Sequence, residues 1–224
     1  MINNQLFTGK AEAYARARPG YPEELLDFIL GLVSEKAVFA DVGAGTGKFT
    51  ELLARSDHKI FAIEPNEEMR GQLIKTLAAY PSANIVQASA EKTSLAASSI
   101  DLITCAQALH WFELRDFRAE CQRIAQPGAI VMSVYNGMGK NSTHAIESAR
   151  AFFHSPTEKE FSNPISYDYE NWLAYMQSHS HAPLPLDSSY PDYLRTLDLQ
   201  FKKENVNGQM VYHNTTHIYY ERLT

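Results

Sequence analysis

The stretch ADVGAGTGKFT, residues 40–50, decides the fold. It closes a short apolar run, Val38 to Val42, and sets Gly43, Gly45 and Gly47 where a buried strand turns into a helix starting near Phe49. Glycines at such a turn tolerate positive φ and let the backbone come close to a ligand. Working outward, the pattern repeats. Pro22 to Val33 reads as a helix with Glu23 and Glu24 in its first turn, upstream of the strand. Downstream, Ile60 to Ile63 is apolar, and Asn66 is an N-cap for a helix from Glu67 toward Leu77. Further apolar runs end near Val86, Ile103 and Val134, with a helical stretch from Leu114 to Ala125 before Pro127-Gly128. Strands alternating with helices, and apolar on both faces, predict an α/β, doubly wound, mostly parallel sheet.

After Asn136 the texture changes. Up to about Asp198 the chain is richer in Ser, His, Pro and Tyr, with helical pieces from His144 to Phe153 and Asn171 to Gln177. This segment, 136–198, is expected to cover the sheet's carboxyl edge as an insertion within a single domain spanning 1–224, because it has few aliphatic residues for a core of its own. Met210 to Arg222 is β-prone and follows Asn207-Gly208, a hairpin signal, so two antiparallel strands are expected to join the sheet there.

The chemistry gathers at the end of the first strand, since open α/β sheets bind ligands in the crevice outside their strands' carboxyl ends. Glu64 lies about 20 residues past the first glycine, at the end of the second strand, where a carboxylate accepts hydrogen bonds from ribose hydroxyls. These features suit a nicotinamide dinucleotide as well as S-adenosylmethionine. Asp41 discriminates between them. A buried carboxylate two residues before the first glycine repels a pyrophosphate but favours an ammonium and a sulfonium. The spacing is also Gly-x-Gly-x-Gly, and a P-loop fails because Phe49 stands where Ser or Thr is required. The plainer alternative has Asp41 capping the following turn.

Four ordered motifs then carry a resemblance: DVGAGTG, IEPNEEM at Ile63 to Met69, ASAEKTSL at Ala88 to Leu95, and QALHWF at Gln107 to Phe112. Together with YARARPGYP at Tyr14 to Pro22 and the ending VYHNTTHIYYERL, they resemble class I S-adenosylmethionine-dependent methyltransferases, and more narrowly the small-molecule group that includes trans-aconitate methyltransferases. The resemblance implies a seven-stranded sheet with an antiparallel last strand and a small helical insertion over the site. It implies S-adenosyl-L-methionine as cofactor, held by Asp41, Gly43, Ala44, Gly45, Gly47, Glu64, Pro65, Ala90, Glu91, Gln107 and Tyr14. QPGAI at Gln126 to Ile130 departs from the more usual Lys-Pro-Gly-Gly, and the segment after Asn136 is short.

His110 is the candidate general base, needed only if the acceptor arrives protonated; a histidine satisfied by the backbone is the alternative. Arg18 and Trp111 are candidate substrate contacts, with Arg16 beside them. Surface ion pairing and helix anchoring are the competing roles. Tyr14 belongs over the cofactor or in an N-terminal arm, and Glu91 beside the adenine or in a solvated loop. His179 with His181, and His213 with His217 four apart on one strand face, lack a third ligand, so no metal is expected. A net charge of −6 without a basic run argues against nucleic acid as a partner. Cys105 and Cys121 alone fit a reducing cytosol, and no stretch reads as a signal or a membrane span. The expected partner is a small-molecule methyl acceptor, and the expected state a monomer or homodimer. A non-catalytic S-adenosylmethionine-binding protein and an NAD-dependent oxidoreductase remain the readings of other classes.

Overall fold

Strand β1, Val38–Val42, is flanked on one side by β2, Lys59–Ile63, and on the other by β4, Ile100–Ala106, both parallel to it. This is the centre of the sheet in a computed structural model that describes residues 19–137, 143–179 and 182–223. β3, Ala83–Val86, extends the sheet beyond β2. β5, Ala125–Gly137, pairs in parallel with β4, and β9, Thr215–Arg222, runs antiparallel to β5. β6, Thr157–Ser162, closes the far edge against β9, giving seven strands in the order β3-β2-β1-β4-β5-β9-β6. The expected mostly parallel, seven-stranded sheet with an antiparallel last strand is what forms.

Alternation along β1 explains the layers. Phe39 faces α1, Glu23–Leu30, and α2, Lys48–Ala54; it packs with Leu25, Ile29, Leu52 and Leu53. α3, Glu67–Thr76, lies on the same face, with Leu73 against Ala62. Ala40 and Val42 point the other way, toward Phe117, Cys121 and Ile124 of α4, Leu114–Ile124, and Phe152 of α5, Thr143–Phe152. Covering both faces explains why the strands are apolar throughout. The Asn66 side chain accepts from the Met69 amide, so the expected N-cap is present.

The back of the chain differs from its sequence reading in three ways. β6 was not visible as a strand: TEKEFS is charged and largely exposed, as edge strands are when they are protected against further pairing. Its Glu160 pairs with His217 of β9 at 3.0 Å. Within 136–198, therefore, α5 packs on the main sheet and β6 lies in it, and the segment is not purely helical. Second, β7, Ile165–Tyr167, pairs with β8, Met210–Tyr212, in a separate two-stranded ribbon, so only β9 of the two expected C-terminal strands joins the main sheet. The Asn207-Gly208 turn exists, with φ of 52° and 80°, but it leads into β8 from a helix. Third, the ribbon packs with α6, Tyr169–Gln177, and α7, Tyr190–Glu204, around a small core of Tyr167, Trp172, Leu197, Phe201 and Met210. Aromatic rings supply the burial that the scarcity of aliphatics seemed to rule out. Among the described residues no helix is long and apolar enough to cross a membrane.

Candidate active site

A cavity of about 270 Å³ opens at the carboxyl edge of the sheet, between the ends of β1, β2, β4 and β5 and the aromatic lobe. The glycine turn forms its floor. At Gly43, φ is +72°, and a Cβ would lie 2.8 Å from the Ala108 Cβ and 2.9 Å from the Phe112 ring, so the turn and the loop after β4 touch there. Gly45 is different. Its φ is +57° and a Cβ would meet nothing within 4 Å, which leaves that backbone open toward the cavity. Gly47 precedes α2 and lets it approach Leu73 of α3.

Two buried carboxylates flank this floor. Asp41 takes a hydrogen bond from the Thr50 hydroxyl at 2.6 Å and another from Thr104 at 2.9 Å. These bonds come from α2 and β4, so the residue does not cap the turn. Burial pushes its pKa up to about 6; the two threonines oppose that shift and the charge of Glu64 adds to it. Glu64 accepts from the backbone N–H groups of Gly45 and Asn66, each at 2.8 Å. Burial raises its pKa as well, against those two bonds. A carboxylate has about four lone-pair positions, so each Glu64 oxygen keeps one for a ligand.

The loop after β3 brings Ser89, Ala90 and Glu91 to the wall. Glu120 holds this loop from α4, accepting from the Thr93 N–H at 2.7 Å and its hydroxyl at 2.6 Å. The Arg123 guanidinium beside Glu120, with those bonds, holds its pKa down at about 2. Glu91 itself accepts from the Glu113 N–H at 3.1 Å, which ties it to the start of α4.

Asp41, Gly43, Ala44, Gly45, Glu64, Pro65, Ala90, Glu91, Gln107 and Trp111 all line the cavity, whereas Gly47, between Thr46 and Lys48 of the lining, does not. Gln107 holds a left-handed φ of 56° and donates to the Asn136 carbonyl at 3.1 Å, so the chain turns sharply between β4 and the wall. His110 is on the turn with Trp111, its ring 4.6 Å from the indole, but it is not part of the cavity wall. Tyr14, Arg16, Arg18 and His181 lie outside the described residues. His213 sits in the connection between β8 and β9 rather than on a strand with His217, whose ring stacks on Tyr135 at 4.8 Å. Trp172 is core and Tyr175 is cavity wall.

The sequence reading missed Tyr21, Thr46, Met69, Asn136 and Asn214 at the wall. Thr46 lies inside the quoted glycine motif and Asn214 inside the quoted C-terminal motif. Nothing in their spacing marks them, because sheet register across distant strands brings them together.

A family model described as a methyltransferase domain matches residues 40–133, the span from β1 into β5 that builds this floor. Over that span the chain is similar to methyltransferase domains. The chain is 33% identical over 138 residues to an uncharacterized methyltransferase-like protein of Schizosaccharomyces pombe, covering 60% of this chain and 53% of that protein. It is 34% identical over 130 residues to an uncharacterized methyltransferase of Mycobacterium tuberculosis, covering 58% and 51%. The chain thus spans about half the length of these curated relatives. Among solved structures, it resembles a putative type II methyltransferase from Anaeromyxobacter dehalogenans, with a TM-score of 0.69 at 21% identity over 92% of this chain and 97% of that one. It also resembles geranyl diphosphate C-methyltransferase from Streptomyces coelicolor, solved with Mg2+, geranyl diphosphate and S-adenosyl-L-homocysteine. There the TM-score is 0.53 at 10% identity, over 90% and 78% of the two chains. At those identities the methyltransferase fold is what the structures share.

Proposed function

We propose that this chain binds S-adenosylmethionine at the carboxyl edge of its sheet and transfers the methyl group to a small-molecule acceptor. The observation that carries the reading is the pair of buried carboxylates, Asp41 and Glu64, on either side of the open Gly45 backbone. Two raised carboxylates beside one cavity suit a ligand that is cationic at one end and rich in hydroxyls at the other, and disfavour a diphosphate. The residues fit the cofactor.

In this reading Glu64 takes the ribose hydroxyls on its remaining lone pairs, and its bond from Gly45 fixes the floor beneath them. Asp41 draws the cationic methionine end toward the glycine turn. Ala90, Glu91 and Pro65 form the wall for the base. The methyl group arrives on a sulfonium, a good leaving group that needs no activation by the protein. The chain's task is then to hold an acceptor atom in line with that carbon at about 3 Å and to keep water out. Trp111, Phe112 and Tyr175 provide the apolar enclosure. No proton-transfer step is assigned to His110. A small molecule as partner, including the narrower trans-aconitate-like group, belongs to this proposal, as does a cytosolic setting, which two buried free thiols support.

Calorimetry tests the cofactor half: S-adenosylhomocysteine should bind one-to-one and NAD+ should not. Incubation with methyl-labelled S-adenosylmethionine and a panel of small acids, phenols, amides and amines tests the transfer half. Tight NAD+ binding with indifference to S-adenosylhomocysteine would refute both. Cofactor binding with no labelled product across the panel would favour a non-catalytic binding protein.

A further inference from the structure

The wall opposite the glycine turn is built from side-chain amides. Gln107 donates to the Asn136 carbonyl at 3.1 Å. Asn136 donates to the Gly20 carbonyl at 3.1 Å, and its own oxygen accepts from the Thr216 hydroxyl at 2.6 Å. Asn163 donates to Gly20 at 3.0 Å, to Asn136 at 3.2 Å and to Thr216 at 3.1 Å. Three of the four amides here therefore have partners for their N–H groups, and the entering chain at Gly20 is clamped to β5 and β9.

Asn214 is the exception. It is 7% exposed and lines the cavity, yet its Nδ2 has no hydrogen-bond partner among the described residues. Its backbone is held in place, since its carbonyl accepts from the Asn163 N–H at 2.9 Å and β9 begins at the next residue, with Thr215 paired to Gly137. A buried donor without a partner destabilises the folded chain, and native proteins rarely keep one unless something else completes it. Because β9 runs antiparallel, its first residues lie at the same sheet edge as the ends of β4 and β5. That puts Asn214 across β1, β4 and β5 from Glu64, on the side of the sheet away from the loop after β3. Tyr175 of α6 and Trp111 share the cavity with it.

We infer that Asn214 is a specificity-determining contact for the methyl acceptor, its Nδ2 donating to an sp2 oxygen of that molecule. The inference rests on the proposed transfer reaction and deepens it. The rigid backbone fixes where the N–H points, so an acceptor is selected for carrying such an oxygen at a set distance from the methylated atom. A neutral amide or carbonyl and a carboxylate share this chemistry, and the experiment separates them.

The test uses the 15N-labelled full chain saturated with S-adenosylhomocysteine. The Nδ2 cross-peaks of Asn214 are assigned by their loss in Asn214→Asp. They are then followed during titration with propionamide, with propionate, and with propylamine, which lacks the oxygen. A saturable shift with the amide or the carboxylate, and none with the amine, is expected. Asn214→Leu should weaken that binding roughly tenfold while S-adenosylhomocysteine affinity stays within about twofold. Cross-peaks that ignore both oxygen compounds, that respond equally to the amine, or an unchanged affinity in Asn214→Leu would overturn the assignment. Failure of the wild-type chain to take up S-adenosylhomocysteine would instead bring down the cofactor reading, and this inference with it.

Discussion

The two walls of the cavity are made of different material. On the β1–β3 side, backbone N–H groups, an open glycine and two carboxylates do the work, all at strand ends set by parallel register. On the β5–β9 side the wall consists of side-chain amides and aromatic rings, partly from a lobe with its own small core. A wall of backbone and short acids keeps one shape for one invariant ligand. A wall of amides and rings is reshaped by single substitutions, which is what an acceptor site needs. On the proposed function, the fold separates a constant task from a variable one.

The largest effect is expected at Trp172. Its ring is fully buried in the lobe and its Nε1 donates to the Tyr212 hydroxyl at 2.7 Å. Trp172→Ala should cost the lobe about 3–5 kcal/mol. Hydrogen exchange should then speed up across α6 and α7 while β1 and β4 stay protected, with S-adenosylhomocysteine affinity changed by less than about threefold. Equal loss of protection in both regions would show that the walls are one cooperative unit.

Asp41 comes next, and the sign is opposite. Its folded pKa of about 6 is raised above the ordinary aspartate value of 3.8. Its contribution to stability is therefore complete below about pH 4 and is lost as pH rises through about 6, so at pH 7 the charged group costs up to about 3 kcal/mol. Asp41→Asn should raise the melting temperature at pH 7 and leave it unchanged at pH 3.5. The same substitution should weaken binding of S-adenosylmethionine. Wild-type affinity should fall as pH drops below about 6, and the variant's should not. A variant no more stable at neutral pH would mean the carboxylate is already compensated.

How much of this was legible follows the same division. Val38 to Val42, the glycine turn, Glu64 and the Asn66 cap were readable because local pattern, turn chemistry and strand ends lie within a few residues of one another. β6 escaped because an edge strand carries charges in place of an apolar run, and the lobe core escaped because its burial comes mainly from Tyr167, Trp172 and Phe201, beside Leu197 and Met210. Asn136 and Asn214 escaped because they meet through sheet register, Asn136 opposite Thr216, across many intervening residues. Asp41 was legible as a charge but not in its partners, since Thr50 and Thr104 come from α2 and β4.

The glycines sharpen the comparison within the floor itself. Gly43→Ala drives a Cβ into Ala108 and Phe112 as well as straining a positive φ, and should cost roughly 3 kcal/mol of stability. Gly45→Ala carries only the backbone strain, about 1 kcal/mol, because nothing lies near its Cβ. Its damage should appear in S-adenosylhomocysteine affinity, measured by calorimetry beside chemical denaturation. If Gly45→Ala proved the more destabilising and kept its affinity, the open face at that position would not be a ligand floor.

The smallest effect is expected at the residue that sequence reasoning put forward for catalysis. His110 shares its turn with Trp111 and packs against that indole, and it is not among the described residues that line the cavity. Proton transfer requires hydrogen-bond reach of the acceptor, directly or through one water. A ring outside the cavity affects the reaction only through how it supports its neighbour. His110→Ala should therefore change kcat by less than about threefold and stability by no more than about 1 kcal/mol. The pH profile of kcat should keep its shape. A fall of a hundredfold or more in kcat, with the profile losing a limb near the histidine range, would restore the general base. It would also mean that the cavity rearranges around its ligands, which the clamped Asn214 backbone argues against.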